Sequence, residues 1–315
     1  MSPVRPADAA PPRPLASRLT NRLTSGLTSG LALAMAGSIA FSGKAIIVKL
    51  AYRHGVDAVT LIMYRMLFAL PLFLALAWWA GRGKPPLTGR DLRVIAGLGF
   101  TGYYLASFLD FAGLQYISAS LERLILYLNP TIVLFLGAVL FKRRVKPRQL
   151  AALAVSYAGV LLVFGHEVQL SGADTLLGAA LVFGSAVSYA VYLVYSGAEV
   201  QRLGALRLTG WATSVAALLC IVQFLVLRPL SAAVVAPEVL WLSLLNATLC
   251  TFAPVLMVMM AIERVGATMT AQTGMVGPLS TILLGVWLLG EPINAWIGAG
   301  TLLVLTGVWL LTRAR

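Results

Sequence analysis

Residues 119–164 read ASLERLILYLNPTIVLFLGAVLFKRRVKPRQLAALAVSYAGVLLVF. An apolar segment with a central proline, Pro130, is followed by five positive charges (Lys142, Arg143, Arg144, Lys146 and Arg148) and a second apolar segment. The pattern returns, weakly, 148 residues later at 267–311, as ATMTAQTGMVGPLSTILLGVWLLGEPINAWIGAGTLLVLTGVWLL. With no gap, Ala119 falls on Ala267, Pro130 on Pro278, Leu136-Gly137 on Leu284-Gly285 and Gly159-Val160 on Gly307-Val308. Leu140, Ala151 and Leu162 fall on Leu288, Ala299 and Leu310. Nine identities over about 44 positions include both mid-segment prolines and the Gly-Val pair, so one fold unit is read as present twice.

The chain has 315 residues, 59% hydrophobic and 11% charged, against about 25% charged in an average soluble domain. Such a chain cannot hide its apolar surface in a core surrounded by water, and its solvent is lipid. A net charge of +13 could point to nucleic acid. The charges, however, sit in short loops between apolar runs, so the expected partner is a bilayer and no nucleic acid. Cys220 and Cys250 lie inside apolar runs, and the two histidines, His54 and His166, fall in predicted loops. No disulfide framework, metal spacing or cofactor is indicated.

Residues 1–26 are rich in Pro, Ser, Thr and Arg and read as a disordered tail. Arg18 and Arg22 resemble a signal-peptide n-region, but the run 27–50 is long enough to span, and no cleavage site followed by a soluble chain is present. A span needs about 20 apolar residues. Ten fit, at roughly 27–50, 59–81, 92–115, 119–141, 147–165, 175–196, 208–228, 239–262, 267–289 and 293–312. The expected fold is an all-α membrane protein of two five-helix repeats, 27–166 and 173–313.

With the N-terminus inside, the inner segments carry 18 Lys and Arg and the outer loops carry two, Arg53 and Arg228. This bias places both termini in the cytoplasm. Five spans per repeat is an odd number, so the second repeat enters from the opposite side. The repeats are then inverted, as in secondary transporters that bind substrate near the midplane between the halves.

The run FLDFAGLQYISASLERLILYLNPTIVLFLGAVLFKRR at 108–144 and its second copy at 261–310 resemble the drug/metabolite transporter superfamily. Within it, the chain is similar to the ten-helix EamA-type transporters. The second copy ends its ninth span with the typical Leu289, Gly290 and Glu291, whereas the first carries Lys142 and Arg143 there. Lys49 and Arg65 stand where such proteins often have a Lys closing the first span and an Arg opening the second. The resemblance implies an exporter of small metabolites in a bacterial inner membrane, with amino acids, notably aromatic ones, as the main substrate class.

Pro130 and Pro278 each remove a helical hydrogen bond and free the carbonyl four residues earlier, Leu126 or Gly274. Broken helices at membrane depth line cavities or pack inside protein, and Gly274 and Gly277 expose backbone beside Pro278. Six ionisable residues fall in the outer third of the first half: Lys44, Lys49, Arg65, Asp110, Glu122 and Arg123. The plainer reading is structural pinning, with Asp110 and Glu122 taking cationic partners and Lys49 and Arg65 snorkelling outward. The sharper reading is a carboxylate that titrates during transport, which is proton coupling. Lys44 lies roughly 9 Å in from the outer end of its helix at about 1.5 Å per residue and is expected to face a wet cavity, where it could attract a substrate carboxylate.

Tyr103, Tyr127 and Tyr189 lie deep, where a phenol needs a partner; cavity wall and satisfied packing are both open. Trp78, Trp79, Trp241 and Tyr195 belong to the interfacial belt. Gly97, Gly99, Gly102 and Ala106, and Ala154 and Ala158, fit close helix packing. The stretch GSIAFSGKA at 37–45 has the wrong spacing for a phosphate loop and lies in a span. The functional expectation is a secondary transporter working by alternating access. A channel-like facilitator and a multidrug exporter are the alternatives. An intramembrane enzyme is disfavoured because no deep His and no His/Cys/carboxylate cluster is present.

Overall fold

The computed structural model describes residues 15–141, 146–171, 173–274, 276–292 and 294–313. All the regular structure among them is helical: α1 Leu15–Tyr52, α2 Ala58–Gly81, α3 Gly89–Gly99, α4 Ala106–Gly113, α5 Ala119–Leu126, α6 Asn129–Phe141 and α7 Pro147–Ser171. The second half continues with α8 Ala173–Leu203, α9 Ala205–Leu227, α10 Pro237–Ala247, α11 Ala253–Thr273, α12 Val276–Leu284 and α13 Ala295–Arg313. Helix starts well before the expected 27, because Leu15, Leu19, Leu23, Leu27 and Leu31 carry a four-residue period into the polar stretch. Residues 1–14 of the expected tail lie outside the described residues.

Among the described residues, eight helical runs are long and apolar enough to cross a membrane: Ser29–Tyr52, Ala58–Gly81, Gly89–Gly113, Ala119–Leu140, Pro147–Gln169, Ala173–Gly197, Ala205–Leu227 and Pro237–Ala261. The two expected last spans appear as shorter apolar helices, Leu279–Leu289 and Ala295–Leu311. The ninth is shortened because its helix breaks after Thr273. α11 also runs unbroken through the expected loop near 263–266, whereas the matching connection in the first half opens at 114–118.

Two irregularities recur at the 148-residue offset. A π-helical turn occupies Phe100–Leu105 between α3 and α4, and another occupies Thr248–Phe252 between α10 and α11. The helix breaks at 127–128 in the first half and after Thr273 in the second. Pro130 is then the second residue of α6 and Pro278 the third of α12. Each proline opens a new helix in its first turn, where the missing N–H has no intrahelical partner to lose.

The halves interlock through their first helices. α1 packs on α10, the second π turn and α11, while α8 packs on the first π turn and α4. α2 pairs with α9, and α7 with α13. The α7–α13 contact is a close backbone approach: a Cβ on Gly159 would come within 2.6 Å of the Gly300 carbonyl, and one on Gly307 within 2.7 Å of the Ala152 carbonyl. Ala154 and Ala158, expected in this contact, are exposed, because Ala152, Ser156 and Gly159 are the residues that turn toward α13. On the third span, Gly99 and Gly102 approach Ala212 and Tyr192, while Gly97 is exposed with nothing near it. Trp78, Trp79, Trp241 and Tyr195 are all exposed, as side chains at a membrane surface are.

Candidate functional site: buried charges where two broken helices meet

α1 presents Ser38 and Ser42 on one face, one turn apart, with Lys44 just beyond. Lys44 Nζ donates to Asp110 Oδ2 of α4 at 2.5 Å and forms an ion pair with Glu122 Oε1 of α5 at 3.0 Å. The ammonium, expected either to face a wet cavity or to pair with Asp110 or Glu122, is held by both carboxylates. Arg123, next to Glu122, donates to Ser42 Oγ at 2.8 Å. Arg65 is 7% exposed rather than snorkelling. Its helix, α2, packs against α4, α9, α10 and the second π turn. Its Nε donates to Thr251 Oγ1 at 3.0 Å, and its guanidinium lies 5.1 Å from the centre of the Phe111 ring.

The N-terminus of α5 sets the position of this cluster. Ser118 caps it by accepting from Leu121 N at 3.0 Å. Two carboxylates from elsewhere complete the cap. Glu291 accepts from Ala119 N at 2.8 Å and Ser120 Oγ at 2.7 Å, and Glu167 accepts from Ser118 N at 3.4 Å and from its hydroxyl. Anions are favoured at a helix start. Gly290, at φ 73°, supplies the left-handed turn that ends the third π turn, Gly285–Leu289, and aims Glu291 across to the first half. Neither Glu167 nor Glu291 was expected to contact α5. The sequence signal for Glu291 was the Leu-Gly-Glu motif, which carries no partner information.

The two helix breaks touch. The Gly274 carbonyl accepts from Ser38 Oγ at 2.7 Å, from Tyr127 OH at 2.7 Å and from Gly277 N at 3.0 Å. The Gly277 carbonyl accepts from Ser42 Oγ at 2.8 Å. A Cβ on Gly277 would stand 2.8 Å from Ser38 Oγ. Lys44, Glu122, Arg123, Tyr127, Gly274 and Gly277 thus form one network, joined by two serines that sequence reasoning missed. Pro130 is exposed and outside it, and the side chain of Pro278 lies outside the described residues.

Tyr103 and Tyr189 belong to a second place. Tyr103 OH and Tyr192 OH are 3.1 Å apart, and the Tyr189 and Tyr192 rings stack at 5.4 Å. Beside them Ser185 and Ser188 donate to the carbonyls of Ala106 and Thr101, each at 2.7 Å, in and next to the first π turn. Lys49 lies apart from both networks. It lines an open recess of about 840 Å³ with Arg53, His166, Glu167, Glu291 and Asn294, at the end of the molecule that carries the α1–α2 turn. His166 is in α7, not a loop, and stacks on Trp296 at 5.7 Å.

The sequence matches the EamA-like transporter family twice, over residues 28–165 and 176–313. The chain belongs to this family. It is 30% identical over 287 residues to "Uncharacterized transporter YcbK" of Bacillus subtilis (strain 168), covering 87% of this chain and 90% of that one. An "Uncharacterized transporter" of Archaeoglobus fulgidus is 25% identical over 278 residues, covering 88% and 95%. A solved crystal structure shares the fold at a TM-score of 0.58 and 17% identity, covering 90% of this chain and 96% of that one. Membership in the EamA-like family, together with the run of apolar helices, makes this a multi-pass membrane transporter with a two-repeat architecture. The two matched segments place α1 and α8, and the two helix breaks, at equivalent points of the EamA repeat.

Proposed function

We propose that the chain is a ten-span secondary transporter that exports amino acids, aromatic ones included, across a bacterial inner membrane. Its two five-helix repeats, 27–166 and 173–313, are inverted, residues 1–26 and the C-terminus are cytoplasmic, and transport is by alternating access between the repeats. The 18-to-2 distribution of Lys and Arg supports the orientation. The observation that carries the mechanism is the contact between the two breaks. Ser38 and Tyr127 of one half hold a carbonyl freed in the other half at 2.7 Å each. A junction made of a few exchangeable hydrogen bonds, each worth about 0.5–1.5 kcal/mol net, can part when the halves rock. Buried groups of both signs beside it, Lys44 and Arg123 against Asp110 and Glu122, suit a zwitterion.

The test is reconstitution in proteoliposomes preloaded with labelled L-phenylalanine, L-threonine or L-lysine. Saturable efflux of at least one, without ion current, is the expected result. A current carried by small ions would make the chain a channel, and efflux confined to non-amino-acid drugs would make it a multidrug exporter.

A further inference from the structure

Asp110 and Glu122 are 4% and 1% exposed as side chains, and carboxylates so placed need a cation beside them. The cation is supplied by the chain itself. Lys44 Nζ reaches both, at 2.5 and 3.0 Å. It does not use them up, because Asp110 Oδ1 and Glu122 Oε2 accept no hydrogen bond and Glu122 Oε1 meets Lys44 only as an ion pair. An ionised carboxylate offers about four lone-pair sites, so the pair has acceptors left for the three donors of an ammonium.

The other charged and titratable groups around the pair are committed elsewhere. Arg123 donates to Ser42, Arg65 donates to Thr251, and Tyr52 OH donates to the Phe111 carbonyl. Arg65 Nη1 and Arg123 Nε are buried and have no hydrogen-bond partner, so donors for an anion stand near acceptors for a cation. Lys44 is the most exposed member of its trio, at 15% against 4% and 1%. Whatever exposure the trio has lies along the Lys44 side chain.

We propose that Asp110 and Glu122 bind the ammonium group of the transported molecule, and that Lys44 is a tethered occupant supplying a cation to that site between substrates. The inference rests on the transporter reading above and narrows its substrate class to primary amines. An amino acid inserts into the ion pair: its ammonium takes the carboxylates, and its carboxylate takes the released Lys44. A zwitterion adds no net charge to the site, and Lys44 returns to the carboxylates when it leaves.

The experiment reads binding rather than transport, so its failure and a failure of the transport assay are distinguishable. Purified Lys44→Ala in detergent is titrated with ethylammonium chloride, sodium chloride or sodium propionate while its melting midpoint is followed. Ethylammonium replaces the lost tip of the side chain. It should stabilise the variant at a concentration about ten-fold or more below that of sodium. Wild type should show no such preference, and adding Glu122→Gln should remove it. Equal action of ethylammonium and sodium in Lys44→Ala, or selective stabilisation by propionate, overturns the proposal. If Lys44→Ala folds only when ethylammonium is present during expression and purification, the proposal stands. If ethylammonium does not recover it, the fold needs the lysine stem in place rather than a cation in the site, and the proposal fails.

Discussion

α1 and α8 hold matching places in the two halves, and each packs against the other half's π turn. At the 148-residue offset, Ser38, Ser42 and Lys44 of α1 correspond to Ala186, Ala190 and Tyr192 of α8. Asp110 and Glu122 correspond to Val258 and Thr270. One junction is therefore ionic and hydrogen-bonded to a broken helix. The other is mainly apolar and aromatic, with Ala186 and Ala190 fully buried among Leu121, Ile125 and Leu128 and its hydrogen bonds made by uncharged hydroxyls. The same backbone device serves two ends. Apolar burial is non-directional and weakens only as area is exposed, whereas a polar junction has discrete partners that can be exchanged. Under the proposed function, the α1 junction moves and handles substrate, and the α8 junction keeps the halves together.

The largest expected effect tests that contrast directly. Lys44→Met leaves two buried carboxylates without their cation and should cost about 3–5 kcal/mol. The matching Tyr192→Phe removes one uncharged hydroxyl, which meets those of Tyr103, Thr209 and Ser196, and should cost about 1 kcal/mol. Unfolding in detergent, followed by tryptophan fluorescence, measures both. Equal losses would erase the distinction between the junctions.

Overpacking comes next. A Cβ on Gly102 would run into the Tyr192 ring, so Gly102→Ala should destabilise by about 1–3 kcal/mol. Its counterpart at the other junction, Cys250, holds its Sγ 2.9 Å from where a Cβ on Gly43 would stand. Cys250→Ala should cost less than Gly102→Ala. The reverse order would mean that the α8 junction has slack and the α1 junction does not.

A smaller change separates the two ends of the molecule. Glu291→Gln keeps the shape of the α5 cap but removes a charge facing a helix N-terminus, at about 0.3–1 kcal/mol. Because Glu291 reaches from the second half to Ala119 and Ser120 of the first, the variant should also open the recess at that end more often. A cysteine placed at position 294 should then label faster than in the parent, and an unchanged labelling rate would confine Glu291 to a local cap.

Much of this was legible in the sequence because it depends on local chemistry. Apolar runs, Lys and Arg bias and the recurring Pro130 and Pro278 needed no tertiary information. The Gly274 carbonyl was singled out from the missing proline N–H, but the structure frees it by ending the helix at Thr273, and Ser38 and Tyr127 donate to it. Partner choice was not legible. Nothing in the α1 sequence says that Lys44 meets Asp110 and Glu122 rather than water, because their separations of 66 and 78 residues are closed only by packing. Arg65 was misjudged for the same reason: snorkelling depends on which side of α2 faces α9, and hydropathy is nearly uniform around that helix. The serines at 38 and 42 entered the sequence reading only within the rejected stretch 37–45, and a nearby broken helix gives their hydroxyls work.

The smallest effect lies outside the membrane, at the starts of α2 and α9. α2 is capped by Asp57, which accepts from Val59 N at 2.9 Å and Thr60 Oγ1 at 2.6 Å and pairs with Arg228 at 3.1 Å. The matching helix α9 begins after Gly204, at φ 86°, with no side-chain cap. Partial burial works against the Asp57 charge, but the bonds from Thr60 and Val59 and the Arg228 charge outweigh it and hold the carboxyl below its ordinary 3.8. A carboxyl so depressed stabilises the fold above its ordinary value and loses that contribution as pH falls through its lower folded value. Asn caps a helix about as well as Asp, so Asp57→Asn isolates the charge. The variant should be about 0.2–1 kcal/mol less stable than wild type at neutral pH, the range of an exposed ion pair. The gap should shrink in 1 M salt and close as the pH drops below 3.8. Arg228 links the α9–α10 connection to the α1–α2 turn, so the pair ties the halves together at the recess end. A gap that persisted in acid would mean that Asp57 acts through shape alone, and α2 and α9 would then differ in cap geometry and not in charge.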